Sequence, residues 1–154
     1  MRIYLDVDGV INPMRPVPGD GFGDWRYEEF FTWSPSMTER LGSLAAQRCW
    51  LTTWGDRANR YLCPVIGWTP QVEIKREPEF FWWKLEALVR EHPVDEPFVW
   101  VDDDLDEYRA NGAGLVESSI EHLAPRHLLV SPDPYLGITP DQMAEIERFI
   151  AAGR

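Results

Sequence analysis

Short apolar runs alternate with amphipathic stretches along this chain, and several of the runs end on polar residues. Ile3-Tyr4-Leu5, followed by Val7, reads as a buried strand that stops at Asp6 and Asp8. Arg48-Cys49-Trp50-Leu51 reads as a second strand and stops at Thr52 and Thr53. Phe98-Val99-Trp100-Val101 is the clearest strand and runs into Asp102-Asp103-Asp104, and Leu128-Leu129-Val130 is a further one. Between the strands the apolar positions recur at helical spacing. Ser36 with Glu39 three residues on predicts a capping box, opening a helix through Leu41, Leu44 and Ala45. Residues 56–62 predict a short helix stopped by Pro64. Residues 79–91 predict a helix with Phe80, Trp83, Leu85, Leu88 and Val89 as its apolar stripe. Another helix follows the third strand through Tyr108 and Ala110, before a glycine-containing turn. Thr139-Pro140-Asp141-Gln142 opens the last helix, with proline in its first turn. Residues 12–24, rich in proline and glycine, predict a loop or loose hairpin. The aromatic and acidic residues 25–33 fit no single element, and residues 65–74 predict a strand and connection interrupted by Pro70.

This alternation predicts an α/β fold with a mostly parallel sheet covered on both faces. In such sheets ligands bind beyond the carboxyl ends of the strands. The pairs Asp6/Asp8, Thr52/Thr53 and Asp102/Asp103 all fall there. Side chains two apart on a strand point the same way, so Asp6 and Asp8 can face one site. Two carboxylates left together uncompensated would force one pKa up. A divalent cation removes that conflict, and Asp102 and Asp103 could complete an oxygen-rich cage around it. Oxygen-only ligands of this kind suit magnesium.

Composition narrows the partners. The chain has 154 residues, which predicts one domain over 1–154 with a real core. Its 26 acidic residues against 15 basic ones give a formal charge of −11, which disfavours non-specific nucleic-acid binding. A phosphate site in such a body needs local cations: a metal, a lysine, or both. No apolar run approaches the ~20 residues of a membrane span, and Asp6 and Asp8 break the first apolar stretch, so a signal peptide is not expected. Cys49 and Cys63 form no CxxC pair and read as buried thiols of a cytoplasmic protein. His92, His122 and His127 have no metal-ligand spacing. The eight tryptophans are expected mainly in packing, with Trp54 and Trp68 as candidates for the mouth of the site.

DVDGV, then a strand ending in threonine (CWLTT), then a lysine, then a strand ending in acids (FVWVDDD) resembles the four-motif order of the haloacid dehalogenase superfamily. The resemblance spans roughly residues 3–104 and is closest to small bacterial members with WLTTW and WVDDD elements, some joined to RNA-repair modules. It implies a Rossmann-like three-layer sandwich and magnesium-dependent phosphomonoester hydrolysis through an aspartyl-phosphate. On that resemblance Asp6 is the nucleophile, and Asp8 is the general acid and then base, its carbonyl also ligating magnesium. Thr52 is favoured over Thr53 as the hydroxyl on phosphate, and Lys84 over Lys75, in the KREPE stretch, as the lysine that neutralises the phosphoryl group. Asp103 is the acidic metal ligand, with Asp102 beside it, while Asp104 caps the following helix. Gly9, Thr53 and Arg57 are expected near substrate.

Residues 12–47 leave room for only a flap and one helix, so the cap is minimal and the site open. Trp25, Tyr27, Phe30, Phe31 and Trp33 would form an aromatic rim able to stack a base, or else to pack inward. The expected partner is a phosphorylated small molecule, or a nucleotide or oligonucleotide end, bound by a monomer or homodimer. A non-catalytic binding protein is the remaining alternative, although competent residues fill every motif position.

Overall fold

The structure, a computed structural model, describes residues 1–16, 19, 21–76, 83–112, 114–124 and 126–153. In chain order the elements begin with strand β1 (Arg2–Leu5), a hairpin of β2 (Arg26–Tyr27) and β3 (Thr32–Trp33), and helix α1 (Pro35–Ser43). Strand β4 (Gln47–Trp50) leads to a π-helical segment (Ala58–Leu62) that runs into α2 (Cys63–Ile66), then to β5 (Val72–Glu73) and α3 (Trp83–Glu91). Strand β6 (Phe98–Val101), α4 (Leu105–Gly112), α5 (Leu115–Leu123), β7 (His127–Val130) and α6 (Pro140–Ala151) follow.

Five strands form one parallel sheet in the order β5-β4-β1-β6-β7. Alternation along each strand sends successive side chains to opposite faces. Ile3, Leu5, Trp50, Val99 and Val101 meet α1, α2 and α6 on one side. Tyr4, Cys49, Leu51, Phe98 and Trp100 meet α3, α4 and α5 on the other. The result is a Rossmann-like α/β sandwich of three layers, as the alternating pattern predicts.

Register places the site. Leu5 pairs with Trp50 on one side and Val101 on the other. The ladder then continues one residue further, with Asp6 N–H on Val101 O at 3.1 Å, Leu51 N–H on Leu5 O at 2.9 Å and Asp102 N–H on Val130 O at 3.1 Å. The three central strands therefore end level. Asp6 shares the parity of Tyr4, and Asp102 that of Trp100, so both carboxylates lie on the face covered by α3.

Several local expectations shift. Helix α1 is capped by Ser34, whose Oγ accepts the Met37 N–H at 3.1 Å, and the Ser36–Glu39 box does not open it. Pro35 occupies the first turn and holds Ser34 extended (ψ 121°), which moves the start forward. Ser36 instead donates its N–H and hydroxyl to Asp24 at 2.8 and 2.7 Å. Pro64 does not stop the helix before it. The wide π turn hands over to α2 with Pro64 in the first turn, where no N–H is required. The helix expected over 79–91 is observed as α3 from Trp83; residues 79–82, with Phe80, lie outside the described residues, and Val89 is exposed. Gly112 and Gly114 predict a turn that ends a helical stretch, whereas the chain resumes as helix α5 directly after Gly114. Residues 25–33 resolve into the β2–β3 hairpin, and the expected strand within 65–74 is only the two-residue β5. Thr139 and Gln142 cap α6 reciprocally.

Both cysteines are free and buried, and burial pushes the Cys49 thiol up to about 11, consistent with an inert packing role. No described helix is long and apolar enough to cross a membrane.

His92, just after α3, is buried between Tyr4 and β6. Its Nε2 lies 2.7 Å from the Glu96 carbonyl, which can only accept, so Nε2 carries the proton. Nδ1 then accepts from the Tyr4 hydroxyl at 2.8 Å. Burial holds the ring below its ordinary pKa, against the raising effect of the Glu96 carbonyl. The unfolded chain therefore takes up a proton near pH ~6.5 that the folded chain refuses. Thermal melts of wild type and His92→Gln should show the wild-type advantage intact above that pH and shrinking as pH falls towards the lowered folded value. A gap independent of pH would mean that His92 is not held neutral by the fold.

Candidate active site

Lys84 is a buried lysine at the carboxyl-terminal edge of the sheet. Its Nζ contacts Asp6 Oδ2, lies 2.8 Å from Asp102 Oδ2, and is 3.7 Å from Asp104 Oδ2. Lys84 and Asp102 are almost completely shielded, at 1% and 0% exposure, so this is not a screened surface pair. Burial alone would lower the lysine pKa, but Asp6 and Asp102 outweigh it and hold the ammonium charged. Lys75, the other candidate, is exposed. Asp102 meets protein donors on both oxygens. Its Oδ1 accepts the Asp104 N–H at 3.1 Å, and its Oδ2 accepts the Trp100 indole N–H at 3.2 Å besides Lys84. Burial raises Asp102, the Asp6 charge adds to that, and Lys84 opposes it.

Asp6, Asp102 and Asp103 bring carboxylate oxygens within 4.8 Å of one another. Burial, then the charges of Asp104 and Asp6, push Asp103 up to about 6. Three carboxylates against one ammonium leave negative charge uncompensated, and all the donors are oxygen, so the set fits a divalent cation such as magnesium. Gly9 is part of that fit. Its backbone is left-handed (φ +69°), and a Cβ there would lie 2.3 Å from the Asp103 carboxyl carbon. Glycine thus satisfies the turn and leaves room for the acid.

Asp8 is exposed and turned away from Lys84's partners. Its Oδ1 accepts from Asn12 Nδ2 at 2.7 Å, and its Oδ2 from the Trp54 indole N–H at 2.8 Å. Asn12 is brought back beside Asp8 by a tight turn in which the N–H groups of Val10, Ile11 and Asn12 all point at Val7 O. Asn12 is not among the residues that the motif pattern marks. Its only signal was its place four residues beyond Asp8 in DGVIN.

After β4, Thr52 is buried and its Oγ1 accepts the Trp54 N–H at 3.2 Å, whereas Thr53 is exposed. Thr53, Asp8, Phe30, Trp54, Arg57 and Tyr61 line a cleft of about 520 Å³. Arg57 donates to the Trp54 carbonyl at 3.2 Å, with its guanidinium 5.8 Å from the Trp54 ring centre. A second cleft, of about 480 Å³, also opens at Asp8 and Phe30 and is lined on its other side by Glu28 and Glu29. The aromatic rim is smaller than expected: Trp25 and Phe31 are buried and Trp33 is half-buried, leaving Tyr27 and Phe30 exposed. Trp68 lies elsewhere, stacked on Trp50 beneath Arg48.

A family model described as the HAD domain in Swiss Army Knife RNA repair proteins matches residues 2–143. No curated protein and no solved structure matches the chain.

Exchanging Lys84 for methionine would strand Asp6 and Asp102 beside each other in a dry site, so Lys84→Met should destabilise the metal-free protein by about 3–5 kcal/mol. Lys75→Met should stay within about 0.5 kcal/mol of wild type. Urea unfolding of the two variants checks this, and equal stabilities would remove Lys84 from its central place.

Proposed function

The chain belongs to the HAD superfamily, within the branch found in RNA repair proteins, and from that premise we propose that it is a magnesium-dependent phosphomonoester hydrolase acting on phosphorylated nucleic-acid or nucleotide ends. The observation that carries the reading is the Lys84 ammonium held between Asp6 and Asp102 at the level ends of β1 and β6, with Asp103 alongside.

In this reading Asp6 attacks phosphorus. A bond forms between its carboxylate oxygen and phosphorus as the bond to the leaving oxygen breaks, giving an aspartyl-phosphate. Its Oδ1 is fixed by the Val7 N–H at 2.6 Å and its Oδ2 by Lys84, so one contact orients the carboxylate and the other screens its charge from the incoming phosphoryl group. Asp8 supplies the proton that the leaving alkoxide needs, then removes one from the water that attacks the aspartyl-phosphate. Asp6, the Asp8 carbonyl and Asp103 would hold magnesium, while Asp102 serves chiefly to seat Lys84. The ion, when bound, would neutralise phosphoryl charge. Thr52 or Thr53, with Gly9 and Arg57 nearby, would meet the phosphoryl oxygens and the flanking group.

The end-specific part of the reading rests on the family and on the asymmetry of the two clefts. Arg57 with Phe30 and Tyr61 offers a cation and aromatic faces to a nucleotide. Glu28 and Glu29 repel a strand from the other side. A body of charge −11 then engages a nucleic acid only at its end rather than along its length.

Wild type should release phosphate from an aryl phosphate only when magnesium is supplied, and Asp6→Asn should abolish this. Asp103→Asn should lose the magnesium-dependent rise in melting temperature. Among 3′- and 5′-phosphorylated oligonucleotides, nucleotides and sugar phosphates, the oligonucleotide or nucleotide ends should give the highest kcat/KM. A wild-type enzyme inert on the whole panel would sink the hydrolase reading, and a preference for sugar phosphates would sink the end-specific one.

Asp8→Asn should slow an alkyl phosphate far more than an activated aryl phosphate, whose leaving group departs without a proton. Equal losses would move the acid–base role away from Asp8.

A further inference from the structure

Among the described residues Asp8 accepts from two side-chain donors, Asn12 and Trp54, and both are anchored to the same piece of the hairpin. Asn12 gives its Nδ2 to Asp8, while its Oδ1 accepts the Thr32 N–H at 2.7 Å. Trp54 gives its indole N–H to Asp8, while the buried Phe31 ring meets the Trp54 ring edge-on, with centroids 6.1 Å apart at 74°. Phe31 and Thr32 are consecutive residues where β3 begins, and Glu28 N–H closes the turn onto Phe31 O at 2.9 Å. The two contacts reach Asp8 from different loops, one after β1 and one after β4, and land on different carboxylate oxygens. An exposed carboxylate held by one donor can still rotate about its χ angles. One held on both oxygens, by donors that are themselves fixed, is confined to one orientation.

We propose that Asn12 and Trp54 are positioning residues that couple the orientation of Asp8 to the seating of the β2–β3 hairpin. Whatever occupies the clefts on either side of Phe30 bears on the hairpin, and the hairpin sets both donors. Ligand at the mouth and the acid–base group are thereby connected through Phe31–Trp54 and Thr32–Asn12. The kinetic side of this inference rests on the hydrolase reading above, whereas the coupling itself does not.

Trp54→Phe keeps a ring against Phe31 and removes only the N–H, and Asn12→Ser shortens the bridge between Thr32 and Asp8. Each should lower kcat for an alkyl phosphate by about tenfold to a hundredfold, with much less effect on an activated aryl phosphate and little on KM. In the Asp8→Asn background, either change should add almost nothing further. Losses that multiply with Asp8→Asn, or a change confined to KM, would overturn the proposal. Should Trp54→Phe fail to fold, Asn12→Ser carries the same cycle.

A second measurement needs no turnover. The indole N–H resonance of Trp54, assigned by its loss in Trp54→Phe, should move in Asp8→Asn and also in Phe31→Leu, which removes the hairpin's ring contact with Trp54 and leaves Asp8 itself unchanged. A resonance indifferent to Asp8→Asn or to Phe31→Leu would overturn the coupling. An inactive wild type whose Trp54 resonance still answers both changes would reject the hydrolase reading and leave the coupling standing.

Discussion

A charged lysine in a dry place is what the carboxyl-terminal edge of this sheet is organised around. Lys84 reaches from α3 to Asp6 on β1's end and Asp102 on β6's end, with almost no access to water. Neither side of that contact is tolerable alone. A buried ammonium without partners would shed its proton, and adjacent buried carboxylates without a cation would pick one up. Each therefore requires the other to be in place, which requires β1, β6 and α3 to be docked in one arrangement. The bonds that the Trp100 indole and the Asp104 N–H give to Asp102 extend the same demand into the core and the start of α4.

The acids divide into two kinds by surroundings. Asp102 is enclosed, hydrogen-bonded on both oxygens and aimed at Lys84. Asp103, one residue on, is only partly covered and sits over Gly9. Asp6 belongs to both groups, touching Lys84 while keeping its oxygens within reach of Asp103. Asp8 belongs to neither, because the turn after Val7 carries it out to the mouth, where its partners are neutral N–H donors. Neighbouring aspartates are thus given different environments by a change in chain direction over two residues.

Much of this was legible in the sequence because it follows from strand parity. Apolar runs of about four residues ending in Asp or Thr identify buried parallel strands and the edge where their polar residues gather, whatever the details of the connections. Lys84 is carried inward while Lys75 stays exposed, for a related reason. An amphipathic helix preceding the β6 strand must pack on the sheet, and a lysine flanked by Trp83 and Leu85 is carried in with it. Features that depend on particular side-chain contacts rather than on strand and helix periodicity were not legible. The start of α1 was set by Asp24 and by the extended residue before Pro35, and the partners of Asp8 came from Asn12 and Trp54, 4 and 46 positions away. The aromatic stretch 25–33 could not be divided into inward and outward residues, because in a two-strand hairpin that choice is made by what it lies upon.

Sheet order also governs when this architecture can come into being. β1 lies at the centre, yet it precedes both of its neighbours along the chain: β4 begins at Gln47 and β6 at Phe98. During synthesis β1 can pair with β4 early but lacks its β6 neighbour until roughly ninety further residues have emerged, and the lysine of α3 comes out before Asp102, one of the two acids it joins. Contacts of such long sequence separation make for slow assembly and a lengthy exposure of sticky segments. A chain built this way stands to gain from early shielding of Ile3-Tyr4-Leu5, whether by a ribosome-associated chaperone or by transient docking against its own α1.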